Sequence, residues 1–401
     1  MASVDFDRIA SLVNLPDNAR VMLEHPERQT TLALNLRTGP GEVLFAQAYV
    51  VYYNTARGPA KGGIRIAPDV TLEETVDLAE RMVWKTALVK IPFGGGKSGI
   101  AMDAGKLPLF VRNDLVREFV HLISPDLEHG VYIPAPDLGS RPSDMATIYG
   151  QTHILTCVTG KPPRVGGLPG RLEATGRGVA YVTGRAVADV LGRDVRDVSV
   201  AVQGFGNVGG WTAQFLQERG ARVVAVSDVH GGRYDTKGLN IPQLLEKTDP
   251  AGCLHDHPGG EKITNEDMLS LKVDVLIPAA IQNVLTESTA PKVHATLIVE
   301  GANGPTTSGA DDILADKGIV VVPDILANAG GVIASYIEWR NAKSGSITDR
   351  DEVFESLERV IGRAYDEVMA LADRNKTTLR LAAQAVAVDE VVGAMQDRGW
   401  I

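Results

Sequence analysis

The stretch VAVQGFGNVGGWTA, residues 200–213, decides how the second half of the chain is read. A β-branched run leads into Gly204, Gly206 and Gly209, spaced G-x-G-x-x-G, and a helical pattern follows. In that strand, turn and helix context the glycines let the backbone approach a pyrophosphate, which the helix N-terminus stabilises electrostatically. Asn207 and Val208 lie within the same turn. A second apolar run, RVVAVS (222–227), leads to Asp228, 228 − 209 = 19 residues after the last glycine, the spacing of an acid on the adenosine ribose. Glycines so placed also suit plain tight packing, with Asp228 capping a turn; the flanking strands favour the dinucleotide. A carboxylate at 228 repels a 2′-phosphate and favours NAD, while Arg233, five residues on, offers a counter-charge that keeps NADP open.

Outward from this stretch, VSVAV (198–202), RVVAVS (222–227), VDVLIPAA (273–280), ATLIVEGA (295–302) and GIVVVP (318–323) alternate with helical segments. That alternation predicts an α/β fold, a parallel sheet with helices on both faces. The Pro- and Gly-dense segment 160–178 marks a domain boundary. Before it, EVLFAQAYVVYYN (42–54) reads as strand, RGPAKGGIR (57–65) as a turn, and Thr71 with Glu74 as a capping box opening a helix. Two amphipathic helices are predicted over 350–373 and 377–398. The expected organisation is a substrate-binding and oligomerisation domain over 1–175, rejoined by a C-terminal helix over 375–401. A Rossmann-like dinucleotide-binding domain follows over 176–345, with a connecting helix over 346–374.

A chain of 401 residues suits two domains. Its 44% hydrophobic and 22% charged content is that of a soluble globular protein, and the net charge of −10 argues against a nucleic-acid-binding face. Cys157 and Cys253 lie far apart in no metal or disulfide pattern, which fits a reducing cytoplasm. The N-terminus lacks the basic-then-apolar order of a signal peptide, and no apolar run is long enough to span a membrane. His230, His255 and His257 are tempting as metal ligands, but CLHDHPGG (253–260) reads more simply as a surface loop, so no metal is expected.

IPFGGGKSG (91–99) invites comparison with a phosphate-gripping loop, yet G-x-x-x-x-G-K-[ST] requires glycine where Ile91 stands. The lysine needs another explanation. A helix from 72 to about 89 puts Leu78, Met82, Lys85 and Val89 on one face, so Lys85 interrupts an apolar stripe. Its ammonium either snorkels to water or meets an anion. Lys61 and Lys97 both sit among glycines that would leave the backbone open to a small ligand. Three lysines so placed bind a substrate with two carboxylates and leave one amine with a depressed pKa, able to act as a base. Asp137, in the Pro-rich VYIPAPDLGS, is either a turn aspartate or the site's acid.

GPAKGGIR, WKTAL, PFGGGKSG, PAPDLG, EATGRG, GFGNVG, VEGANGPTT and NAGGVIASYIEW occur here in the order found in the glutamate/leucine/phenylalanine/valine dehydrogenase superfamily, which the chain resembles from about residue 25 to its end. The resemblance implies reversible oxidative deamination of an amino acid with hydride transfer to NAD(P). It makes Lys97 the water-activating lysine, held near neutral, and Asp137 the proton carrier. It assigns Lys85, helped by Asn328, to the α-carboxylate, and Lys61 with Ser335 to a side-chain carboxylate, hence L-glutamate in exchange with 2-oxoglutarate and ammonium. Arg171, Thr175 and Asn303 match residues near the nicotinamide end. A homohexamer built through the first domain, with a cleft that closes between domains, is the implied assembly; the chain departs from the family in being somewhat short, with no obvious extra regulatory domain. A dehydrogenase for an apolar amino acid, or a regulatory dehydrogenase-like subunit, are the competing readings.

Overall fold

The computed structural model describes residues 4–39, 41–247, 254 and 259–401. Cys253 and residues 255–258, most of the expected histidine loop, lie outside them. The chain divides into two compact units: Met1–Arg171 with Val332–Val353 and Gln384–Ile401, and Leu172–Gly331 with Phe354–Ala383. The first division falls inside the Pro/Gly-dense segment. Residues 332–345, expected with the dinucleotide domain, group with the first unit.

Unit 1 begins with short helices α1 (Phe6–Ile9) and α2 (Asp17–Leu23), followed by strands β1 (Arg28–Gly39), β2 (Glu42–Asn54) and β3 (Ala60–Ala67). Helix α3 (Leu72–Leu88), β4 (Gly94–Ala101), α4 (Leu109–Glu128), β5 (Tyr132–Pro136) and α5 (Pro142–Thr152) complete its first segment. The sheet order is β1-β2-β4-β3-β5, antiparallel through β4 and parallel from β4 to β5. Helix α4 lays Val111, Leu115, Phe119, Val120, Ile123 and Leu127 into the core against this sheet. Thr71 caps α3 by accepting the Glu74 amide at 3.1 Å. Glu74's own side chain pairs with Arg65 rather than closing the box.

Two segments correct the sequence reading. RGPAKGGIR, expected as a turn, supplies β3, and FGGGKSG, read as an open glycine loop, supplies β4. Their glycines serve close packing. A Cβ on Gly62 would lie 1.6 Å from the Gly96 carbonyl oxygen, and one on Gly95 would lie 2.5 Å from the Val83 amide nitrogen and 2.6 Å from the Ala79 oxygen of α3. Helix α3 thus presses its backbone on β4 where side chains are absent. Gly95→Ala is expected to force that helix outward, an overpacking of about 1–3 kcal/mol. A thermal melt should show Tm lower by roughly 4–10 °C; an unchanged melt would mean α3 has room to spare.

Unit 2 opens with α6 (Ala174–Leu191), β6 (Ser199–Gln203), α7 (Asn207–Glu218) and β7 (Arg222–Asp228). Then come β8 (Gly231–Tyr234), α8 (Ile241–Lys247), β9 (Glu261–Ile263), α9 (Asn265–Ser270), β10 (Val275–Pro278), β11 (Leu297–Val299), α10 (Ser308–Asp316), β12 (Val320–Val322) and α11 (Asp324–Ala327). The sheet order is β12-β11-β10-β6-β7-β8-β9. All five strands expected from the apolar runs are present and parallel. The antiparallel edge strands β8 and β9 were not expected, being short and polar. The chain ends in α12 (Gly330–Ser344), α13 (Arg350–Asn375) and α14 (Leu379–Asp397), the last two within a few residues of the predicted amphipathic helices. No helix among the described residues is long and apolar enough to cross a membrane.

Candidate active site

Unit 1 gathers the lysine cluster on its sheet. β3 and β4 run parallel with Lys61 opposite Gly95 and Ile64 opposite Ser98, a constant offset that sets Lys97 opposite Gly63. Lys61 and Lys97 therefore lie two register positions apart on one face, because side chains in strands alternate with period two. Gly63 in turn pairs with Ala135 of β5, and a Cβ there would lie 2.6 Å from both Cβ and Oδ2 of Asp137. The missing side chain at 63 is the space that the Asp137 carboxylate fills.

Lys97 is 4% exposed and donates to Asp137 Oδ2. Asp137 Oδ1 accepts from Arg65 Nε at 3.3 Å and from the Leu138 amide at 2.7 Å. Burial by itself would raise this carboxyl, but Lys97, Arg65 and the Leu138 amide together outweigh it and hold it at about 2. Asp137 is thus an anion at neutral pH.

Lys61 is 1% exposed and, among the described residues, has no hydrogen-bond or ion-pair partner. Burial pushes its ammonium down to about 7, with Arg171, Lys161 and Lys97 acting in the same sense and Glu338 opposing them. Lys61 is therefore a depressed amine in this arrangement, and Lys97 faces a carboxylate. Arg171, expected near the nicotinamide, belongs to unit 1; its Nε is buried without a hydrogen-bond partner. Lys85, on the last turn of α3, is 8% exposed, and Ser335 of α12 is buried, both in unit 1.

In unit 2 each fingerprint glycine has its own reason. Gly204 has φ +92°, a backbone that L side chains rarely adopt. Gly206 faces open space, with nothing within 4 Å of a Cβ built there. Gly209 packs so closely that its Cβ would lie 1.8 Å from the Gly204 oxygen. The α7 N-terminus, with Asn207, Val208 and Gly209 in its first turn, presents free amides over that open space. Those features fit a dinucleotide pyrophosphate.

Asn207 Nδ2 donates to the Leu172 carbonyl at 2.9 Å, tying the turn to the segment that carries Thr175 into the first turn of α6. The Asp228 carboxylate accepts the His230 amide at 2.7 Å and the Leu254 amide. It caps its turn and still stands at the end of β7, with acceptor capacity to spare. Asn328 Nδ2 donates to the Gly301 and Ala302 carbonyls and to Asn303 Oδ1 at 3.0–3.2 Å, while its Oδ1 is buried without a partner.

Two sequence profiles match the chain: Glu/Leu/Phe/Val dehydrogenase, dimerisation domain, over residues 26–154, and Glutamate/Leucine/Phenylalanine/Valine dehydrogenase over 166–399. The chain belongs to this family. A glutamate dehydrogenase of Thermotoga maritima is 44% identical, over 100% of this chain and 97% of its own. An NADP-specific glutamate dehydrogenase of Saccharolobus shibatae is 41% identical over 98% and 95%. Among solved structures, hetero-hexameric glutamate dehydrogenase from Thermus thermophilus, in a Leu-bound form, superposes with a TM-score of 0.92 at 35% identity, covering 98% of this chain and 95% of its own.

Within this family fold several residues of the site escaped the sequence reading. Arg65, the last residue of GPAKGGIR, bridges Glu74 and Asp137. Glu300, in VEGANGPTT, is buried and accepts from Arg380 Nη1 at 3.0 Å, Arg380 Nη2 at 2.7 Å and the Asp324 amide at 2.9 Å, securing the loop that carries Asn303. Their motifs were visible; their partners, up to 80 positions away, were not. Lys161 and Glu338 form an ion pair with side chains 0% and 1% exposed, joined across 177 positions.

Proposed function

We propose that the chain is an NAD(P)-dependent glutamate dehydrogenase, converting L-glutamate and water reversibly to 2-oxoglutarate and ammonium. The observation that carries this is Lys61: a buried cation without a counter-anion, beside Arg171, on the same sheet face as Lys97. An aliphatic side chain placed there would leave that charge unanswered, at a cost of about 1–3 kcal/mol or more, so the subsite selects a second carboxylate. In the proposed assignment Lys61 and Ser335 hold that carboxylate and Lys85 holds the α-carboxylate, with Asn328 assisting.

The dinucleotide, when bound, supplies the hydride acceptor, and Gly204, Gly206, Asn207, Val208, Gly209 and Asp228 hold it, with Thr175, Asn303 and Arg171 toward its reactive end. Asp137, already ionised, would take a proton from the substrate ammonium and release it to solvent. Loss of hydride from Cα leaves a substrate iminium, which water attacks. At the iminium stage Lys97, in direct contact with Asp137 Oδ2, would pass its proton to the emptied carboxylate and serve as the base for the attacking water, and Asp137 would then return that proton to the departing nitrogen.

The test uses the purified chain alone, following absorbance of reduced coenzyme with glutamate and with leucine. Turnover of glutamate in strong preference to leucine is expected; leucine preferred, or neither oxidised, overturns the reading. A cytoplasmic hexamer is the assembly we infer, and activity of the chain by itself distinguishes a homohexamer from an assembly that needs a partner, as the hetero-hexameric Thermus enzyme raises.

NAD is the coenzyme we favour: in the proposed assignment Asp228 meets the adenosine ribose, where its carboxylate would repel a 2′-phosphate. Asp228→Ser is expected to raise the NAD KM by about 10-fold and improve use of NADP. Steady-state rates with both coenzymes decide: an unchanged ratio would leave Asp228 only its turn-capping hydrogen bonds.

A further inference from the structure

The mechanism above makes no use of the most deeply buried ion pair near the substrate lysines. Lys161 Nζ donates to Glu338 Oε1 at 2.7 Å and to the Val158 carbonyl at 2.6 Å. Glu338 Oε2 accepts the Gly160 amide at 2.8 Å, and Oε1 also accepts the Lys161 amide at 3.3 Å. Both partners belong to unit 1. They converge on one end of the sheet. The Thr159 amide donates to the Pro134 carbonyl of β5, and Pro134 pairs in register with Gly62, the neighbour of Lys61. On the other side Glu338 lies one turn after Ser335 along α12. Lys61 feels both members of the pair, Glu338 favouring its charge and Lys161 opposing it.

A glutamate side chain whose charge is felt by an unpartnered lysine poses a problem for a subsite that must take a carboxylate from solution. Glu338 has the chemistry of the substrate's own distal group and is permanently tethered. Free to do so, it would occupy Lys61 and compete with the substrate at high effective concentration. Lys161 prevents this by neutralising Glu338 first, with a second hydrogen bond to Val158 fixing the ammonium away from other duties.

We propose that Lys161 is a specificity-determining positioning residue that masks Glu338, so that Lys61 stays unpaired for the distal carboxylate of the substrate. Glu338 itself closes the 160–161 turn onto α12 by accepting the Gly160 and Lys161 amides. This inference rests on the proposed use of glutamate and deepens it.

The experiment compares wild type, Lys161→Met and the double variant Lys161→Met/Glu338→Met. Each is assayed with glutamate and with norvaline, an amino acid whose side chain carries no carboxylate, and each is titrated with reduced coenzyme by fluorescence. In Lys161→Met the unmasked Glu338 captures Lys61, so the glutamate KM rises by about 10-fold or more, with norvaline kinetics and coenzyme affinity little changed. Removing the anion as well restores the glutamate KM to within about 3-fold of wild type, since buried ion pairs exchanged for apolar residues of similar volume usually keep the fold. A merely structural pair predicts the opposite: both substrates weakened alike, and no recovery in the double variant. Either result, or a glutamate KM unmoved in Lys161→Met, overturns the proposal. Should Lys161→Met fail to fold, Lys161→Gln, which keeps a donor toward the Val158 carbonyl but removes the charge, takes its place: a glutamate KM raised with norvaline kinetics unchanged supports masking, and an unmoved one overturns it. Failure of wild type to oxidise glutamate would instead sink the proposed function and is read separately.

Discussion

Lys97→Ala is expected to lower kcat for glutamate by about 10³-fold or more, within the range for loss of a positioned proton-transfer group, while reduced coenzyme still binds with near-native affinity. The two effects separate because Lys97 and Asp137 belong to one unit and the fingerprint glycines to the other. The loss lies in the water step: water loses its base, and the relay from water through Lys97 to the carboxylate is cut. Asp137 also loses the largest of the charges that keep it ionised, so its carboxyl moves up from about 2, which makes it a stronger acceptor for the substrate proton and does not account for the fall. Stopped-flow absorbance of the first turnover, alongside fluorescence titration of reduced coenzyme, checks both halves. Coenzyme affinity falling in step with kcat would contradict the separation, and a loss under about 10-fold would remove Lys97 from the chemistry.

What could be read from the sequence depended on whether the cause of a residue lay nearby in the chain. The fingerprint was legible because its three constraints are local: a positive φ at Gly204, an open approach at Gly206, and a helix packed on its own preceding turn at Gly209. The five parallel strands were legible because a strand buried on both faces is apolar throughout. GPAKGGIR and FGGGKSG misled, since glycine clusters usually mark turns, whereas here Gly62 answers the Gly96 carbonyl on the neighbouring strand, Gly63 the Asp137 side chain and Gly95 the backbone of α3. Nothing in either segment announces α3. The lysine cluster was visible as three unusual positions, and the physics of a depressed amine was visible with it. Which amine is depressed depends on partners at Asp137, Lys161, Arg171 and Glu338, and spacing says nothing of those. Lys161 in particular sits in a Pro/Gly-dense segment that reads as linker, and only the fold brings Glu338 to it.

Lys61→Leu carries the other large effect. For glutamate, kcat/KM is expected to fall by about 100-fold, the consequence of a distal carboxylate desolvated without its cation. For norvaline or leucine it rises, because leucine at 61 fills the subsite with apolar contact. The protonation of Lys61 adds a second signature. Held at about 7 by burial and by Arg171, the amine of the free enzyme is largely neutral at pH 8, and a bound carboxylate recharges it. Glutamate binding at pH 8 should therefore take up a proton, measurable by calorimetry in buffers of different ionisation enthalpy, and the leucine variant should lose that uptake.

Stability must follow with a definite sign. Below pH 7 Lys61 is charged folded and unfolded alike, so the full cost of burying the charge is present. Between 7 and its ordinary 10.5 only the unfolded chain holds the proton, and the cost shrinks to nothing as pH rises through that window. Lys61→Leu should then raise Tm most at pH 6 and least near pH 10. A variant equally stabilised at both, with glutamate kinetics intact, would show that Lys61 neither faces the substrate nor suffers the burial on which its selectivity depends.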